Sequence, residues 1–177
     1  MENHVFLKMI DEIEVCLEQE LYMSALMLAL TIPDICGKAE YPHAKSIVER
    51  YTRWYNQYMG QYHKGASAYD VDMPYLSGEV VYNLRNSILH SGNPNIDYTK
   101  VQQEECKIDQ FKLRFGKTLF GDTSAVSYGA GMKVVERRYE VNVYLLCSRL
   151  CSEAKSYYAD NTEKFDFFNY TIQYYDD

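Results

Sequence analysis

Arg85, Asn86 and His90 form the spacing R-N-x-x-x-H inside the segment YLSGEVVYNLRNSILHSGNP, and they are the residues of this chain best suited to chemistry. Imidazole titrates near neutral pH and serves as a general acid or base. Guanidinium is a fixed positive charge that fits a phosphate, and a carboxamide orients either partner. Such a set suits metal-free cleavage of a phosphodiester. Of the four histidines, only His90 lies in a grouping of this kind; His4 is near a terminus, and His43 and His63 fall near expected loops or helix starts.

At roughly 100° per residue, Tyr82, Asn86 and His90 fall on one helical stripe, with Arg85 about 140° around the axis from His90. One helix therefore aligns the set imperfectly, although a long Arg side chain can swing toward the stripe. A second copy of the helix, facing the first across a twofold axis, would complete a tight cluster around one phosphate-sized cleft. The chemistry thus predicts a homodimer with Arg85, Asn86 and His90 as catalytic residues. Tyr82, one turn earlier, and Ser91 and Asn93, just beyond, are the candidate substrate-binding residues. Two ordinary roles compete: a salt bridge from Arg85 to Glu79 or to the first helix, and a C-terminal cap from His90.

The elements that must carry these residues are mostly helices. Val5, Phe6, Met9, Ile10, Ile13, Cys16 and Leu17 recur at helical spacing, with Glu12, Glu14 and Glu18 on the other faces. LYMSALMLALTI predicts a helix, apolar almost all round, that stops before Pro33 and is followed by a turn through Cys36 and Gly37. Pro42 suits a first helical position ahead of a stripe of Ile47, Val48, Tyr51, Trp54, Tyr55 and Tyr58. Gly60 to Met73 reads as a long loop. Pro74 then opens the motif helix, buried through Leu76, Val80, Val81, Leu84, Ile88 and Leu89 and ended by Gly92, Asn93 and Pro94. Phe111, Leu113 and Phe115 alternate with Lys112 and Arg114, the period of a strand. With a second strand between Leu119 and Val135 they predict a small antiparallel hairpin, and a last helix runs from about Tyr139 to Tyr158. The expectation is one mainly α domain over 1–177: helices within 1–95, a hairpin insertion at 105–137, a last helix at 138–159 and an aromatic, acidic tail at 160–177.

A net charge of -7, from 18 Lys and Arg against 25 Asp and Glu, excludes a nonspecific polycation and requires any nucleic-acid contact to be local. Lys107, Lys112, Arg114, Lys117, Lys133, Arg137 and Arg138 concentrate in the hairpin region, and Arg50, Arg53 and Trp54 form a second basic-aromatic group. Cys16, Cys36, Cys106, Cys147 and Cys151 are an odd set without a C-x-x-C pair, which reads as reduced, buried thiols in a cytoplasmic protein. No histidine stands at ligand spacing from Cys147 and Cys151, so no metal is expected. GDTSAVSYGAG lacks the Lys-Ser/Thr ending of a phosphate loop, and no cofactor is expected. The apolar stretch Leu21 to Ile32 is short of the roughly 20 residues that cross a bilayer, so no membrane partner is expected.

YNLRNSILHSGNP, closing a helix after three earlier helices, resembles the R-x4-H motif of the HEPN superfamily, in which Asn often follows the Arg. SALMLALTIPDICGKAEYP and RYTRWYNQY resemble a branch of HEPN-like proteins of bacterial plasmids and chromosomes. The resemblance implies a HEPN helical bundle and a dimer with paired motif helices. It implies a metal-independent endoribonuclease of a bacterial defence, toxin or stress system, with an antitoxin or regulatory protein as a further partner. On that basis His90 acts as general base or acid, Arg85 stabilises the charged phosphorane, and Asn86 orients the phosphate or His90. The RNA 2′-OH is the nucleophile. Toxins of the family controlled by nucleotidyl transfer carry Tyr two residues after the motif His; here Gly92 stands there, which argues against that regulation. A HEPN domain that binds nucleotide, RNA or protein without catalysis, and a structural interaction module, are the alternatives.

Overall fold

The structure is a computed structural model and describes residues 4–63, 72–101, 107–118 and 120–168. Most of the expected Gly60 to Met73 loop, Cys106, Leu119 and the end of the tail lie outside the described residues. The apolar spacing of the first segment is realised in α1 (His4–Glu18), where Phe6, Ile10, Ile13 and Leu17 are buried while Glu12 and Glu18 face solvent. α2 (Tyr22–Ala29), α3 (Ile32–Glu40) and α4 (Ile47–Tyr58) follow, then α5 (Gly78–Ser91) and, after a sheet, α6 (Val143–Asp160). α6 packs against α1, α2 and α3, and its Leu146, Cys147, Leu150, Cys151 and Ala154 join Leu26, Leu30, Tyr51 and Trp54 in one core. Burial pushes the Cys36, Cys147 and Cys151 thiols up, Cys151 to about 12, which keeps them protonated and inert. Among the described residues, no helix is long and apolar enough to cross a membrane.

Three helix boundaries marked by proline differ from the expected ones. Pro33 opens α3 instead of closing the helix before it, since the first turn of a helix has no use for its missing N–H. Cys36 and Gly37 are therefore helical, and Gly37 lets the backbone of α4 approach: a Cβ there would lie 2.6 Å from the Arg50 carbonyl oxygen. Pro42 and Pro74 instead precede their helices by several residues, and Ser46 and Ser77 are the N-caps, their hydroxyls accepting from the Glu49 and Val80 amides. Trp54 is fully buried. Arg50 is spent on Asp34 at 2.8 Å, and Arg53 lies over the Tyr41 ring at 4.0 Å, so this basic-aromatic group holds α3 against α4 and is no platform for a base.

The insertion between α5 and α6 is a three-stranded sheet of order β1-β3-β2, not a two-stranded hairpin. β1 (Gln110–Arg114) pairs parallel to β3 (Val134–Asn142), and β2 (Thr123–Tyr128) pairs antiparallel to it. The first strand therefore does not pair with the second. β3 takes residues 138–142 from the expected last helix and runs into α6, whose N-cap is Asn142. The β-branched and alternating run VVERRYEV favours a strand, and the cap at Asn142 delays the helix. In the tail region, Phe165 is buried against Phe6, Tyr157 and Tyr158, so the described part of it completes the core.

α5 is seated on α4 at Gly78. The Gly78 amide donates to Asn56 Oδ1 at 2.7 Å, and a Cβ at Gly78 would lie 2.7 Å from the Thr52 carbonyl oxygen and 2.8 Å from Thr52 Cα. Both neighbours are backbone and cannot step aside. Gly78→Ala is expected to lower stability by about 1–3 kcal/mol through overpacking, measured as a shift in the urea midpoint at unchanged slope. An unchanged midpoint would show that α5 can shift along α4 freely.

Candidate functional site

The candidate residues ride on α5 because its opposite face is apolar. Val80, Val81, Leu84 and Ile88 are buried, and burial of such side chains stabilises by about 1.5–3 kcal/mol each. That orientation leaves Tyr82, Arg85 and Asn86 half-buried at the protein surface, with His90 exposed at the last turn. Gly92, at φ +62°, ends the helix; its amide donates to the Ile88 carbonyl at 2.9 Å and that of Asn93 to Ser87 at 3.1 Å. The chain beyond is clamped by Asn83, whose carboxamide accepts from the Asp97 amide at 2.7 Å and donates to the Asp97 carbonyl at 3.1 Å. Ser91 and Asn93 are exposed between these two fixed points.

Arg85 swings toward the stripe as its length allows. Its Nη1 donates to Asn86 Oδ1 at 2.9 Å, and its guanidinium carbon lies 6.0 Å from the centre of the Tyr82 ring. Tyr82 in turn meets Tyr51 edge to face at 5.1 Å, and the Tyr51 hydroxyl donates to the Leu30 carbonyl at 3.0 Å. Burial pushes the Tyr51 phenol well up, and the Arg85 charge opposes that rise. The expected salt bridge from Arg85 to Glu79 or α1 is absent: among the described residues Arg85 pairs with no carboxylate, and its buried Nε has no hydrogen-bond partner. Asp34, the acid felt in the same neighbourhood, is engaged by Arg50.

Tyr82, Arg85 and Asn86 are thus brought together within one chain. His90, Ser91 and Asn93 are not joined to them; among the described residues the His90 side chain has no hydrogen bond, and the helix end is capped by backbone amides at Gly92 and Asn93. The result, among the described residues, is a guanidinium held by Asn86 without a carboxylate partner and, at the last turn of the same helix, an exposed imidazole.

A second polar cluster was not legible from the sequence. His63 Nδ1 lies 3.1 Å from Asp122 Oδ2, and because the carboxylate only accepts, this nitrogen carries the proton. The Tyr139 hydroxyl donates to the same oxygen at 2.9 Å, and the Asn142 amide donates to Asp122 Oδ1 at 2.7 Å. Burial pushes the Asp122 carboxyl up, but these donors together hold it below the usual carboxylate range. His63 stacks on Tyr55, and its side chain is 1% exposed, with Nε2 closed off from solvent. No substrate reaches that nitrogen, so the cluster anchors the sheet to α4 and α6. Asp122 lies 59 residues from His63, and no local pattern announces the pair.

In comparisons with known proteins, no family model, no curated protein and no solved structure matches the chain.

Proposed function

We propose that the protein is a metal-independent endoribonuclease of the HEPN type, acting as a homodimer in which two α5 helices face each other and share one cleft. The observation that carries this reading is Arg85, a half-buried guanidinium turned onto Asn86 and Tyr82 with no carboxylate partner among the described residues. An unpaired, partly desolvated cation beside a carboxamide suits an anionic ligand such as a phosphate. His90, exposed one turn beyond Asn86, reaches the same ligand once a second helix closes the cleft.

In that cleft the RNA 2′-oxygen attacks the adjacent phosphorus and gives its proton to one imidazole. The bond to the 5′-oxygen breaks, and the partner subunit's His90 protonates that leaving oxygen. The products are a 2′,3′-cyclic phosphate and a 5′-hydroxyl, with Arg85 offsetting the charge that builds on the phosphorane. A bacterial defence, toxin or stress role, in the cytoplasm and under an antitoxin or other regulatory partner, belongs to the same reading.

A mixed RNA pool incubated with the protein in EDTA should be cut, and sedimentation should return the mass of a dimer. Intact RNA across a broad pool, or a monomer with full activity, would remove the composite site. A second reading, a domain that holds a phosphate group without cutting, is favoured by the separation of His90 from Arg85 and Asn86 within the protomer. Binding without cleavage would select it.

A further inference from the structure

Tyr98 is 57% exposed, yet the loop that displays it is fixed on both sides by the buried Ile96 and Val101. The loop is also tied to α5. Both ends of the Asn83 carboxamide hold the Asp97 backbone, and the Asp97 carboxylate accepts from the Thr99 amide at 3.2 Å and meets Lys100 Nζ at 3.2 Å. Among the described residues no side chain bonds the Tyr98 hydroxyl or stacks on its ring. A large aromatic ring displayed by so firmly tied a loop is preorganised, and it meets a ligand with little ordering cost.

The same ties place Tyr98 beside the α5 residues. After Gly92 the chain doubles back along the helix, with the Asn93 amide held at Ser87 and Asp97 held at Asn83, one turn nearer the start. At about 100° per residue, Asn83 stands roughly 20° from His90 and roughly 60° from Asn86 around the axis. Tyr98 therefore flanks the margin of the outward side that bears those two residues. Asn83 and Asn86 are one turn apart, about 5–6 Å between Cβ atoms, a step that one nucleotide spans. The acids nearest Tyr98 along the chain and the helix are engaged: Asp97 pairs with Lys100, and Glu79, one turn before Asn83, is not free. An uncharged ring at that margin suits the uncharged part of a nucleotide, while the Arg85 guanidinium suits its phosphate.

We infer that Tyr98 is the base-binding residue of the α5 site, stacking on the base of a nucleotide whose phosphate lies at Arg85 and Asn86. Only an unpaired base offers its face in this way, so the ligand is single-stranded RNA. The inference rests on the phosphate-binding part of the nuclease reading and names what that site takes. The test is fluorescence anisotropy with two labelled probes of about four residues that have no free 2′-hydroxyl to attack: a 2′-O-methyl oligouridylate, and a base-free spacer with the same number of phosphodiesters. Wild type should bind the uridylate more tightly than the spacer. Tyr98→Ala is expected to weaken uridylate binding by about 5- to 150-fold, the loss of one stacked base, and to leave spacer binding unchanged. Tyr98→Phe keeps the ring and should match wild type on both probes, whereas Arg85→Ala should weaken both. Melting of Tyr98→Ala should match wild type, because the side chain makes none of the ties that hold its loop. Wild-type affinity that ignores the bases overturns the inference, as does a Tyr98→Ala protein that binds both probes like wild type or loses both alike. A Tyr98→Phe protein as weak as Tyr98→Ala overturns it too, since the hydroxyl and not the ring would make the contact. Uridylate binding that needs Tyr98, with ordinary RNA left intact, would sink the nuclease reading and leave this one standing; cleavage of ordinary RNA with uridylate affinity indifferent to Tyr98 would do the reverse.

Discussion

His90→Ala is expected to slow RNA cleavage in EDTA by about 10²–10⁴-fold, the usual contribution of a positioned general acid or base. Arg85→Ala should cost about 10²–10³-fold, the loss of one donor to the transition-state charge. The two variants differ in what else they disturb. His90 is exposed and makes no hydrogen bond among the described residues, so its removal should leave stability within about 0.5 kcal/mol. Arg85 lies near the Tyr82 ring, which itself meets Tyr51 of α4, so its removal also loosens that side of α5. Rates must therefore be compared between proteins matched by circular dichroism and by dimer mass. Parallel collapse of activity in both, with the dimer intact, supports one site made from Arg85, Asn86 and His90. Cleavage that survives in His90→Ala at the wild-type rate would remove the imidazole from the chemistry, and with it the proposed mechanism.

Asp122→Ala is expected to destabilise the fold by about 3–5 kcal/mol, the cost of removing one partner from a buried charged network. The His63 ring, the Tyr139 hydroxyl and the Asn142 amide would each lose their acceptor in a space largely closed to water. In a domain of this size the melting temperature should fall by roughly 6–20 °C. Acid sensitivity supplies a second readout. The Asp122 carboxyl sits below its usual range in the folded state, so the stability it contributes is complete above the unfolded carboxylate value of about 3.9 and is lost as pH falls through the lower folded value. Asp122→Asn should remove that component and flatten the decline of stability below about pH 4. Wild-type stability at neutral pH in Asp122→Ala would show that the sheet is held to the helices by apolar packing alone.

Much of the helical frame was readable because its information is local. Phe6, Ile10, Ile13 and Leu17 mark one side of α1 by their spacing, as Val80, Val81, Leu84 and Ile88 mark one side of α5, and Gly92 ends that helix because a left-handed residue is needed there. The sequence misleads where one residue has two local meanings. Pro33 can end a helix or begin one, and only the packing of α3 on α4, with Gly37 against the Arg50 backbone, selects the second. Residues 138–142 carry both strand and helix signals, and the central position of β3 between two partners decides for the strand.

Of the chemistry, the sequence by itself determined which side chains α5 carries and that Tyr82, Asn86 and His90 share a stripe, since helical geometry converts spacing directly into direction. Tertiary structure decided the rest. It set Arg85 against Asn86 with no carboxylate partner among the described residues, the neighbouring Asp34 being held by Arg50. It also joined His63 to Asp122 across 59 residues. Those pairings depend on where the sheet lands on the helices, a long-range outcome of packing that no window of the chain contains.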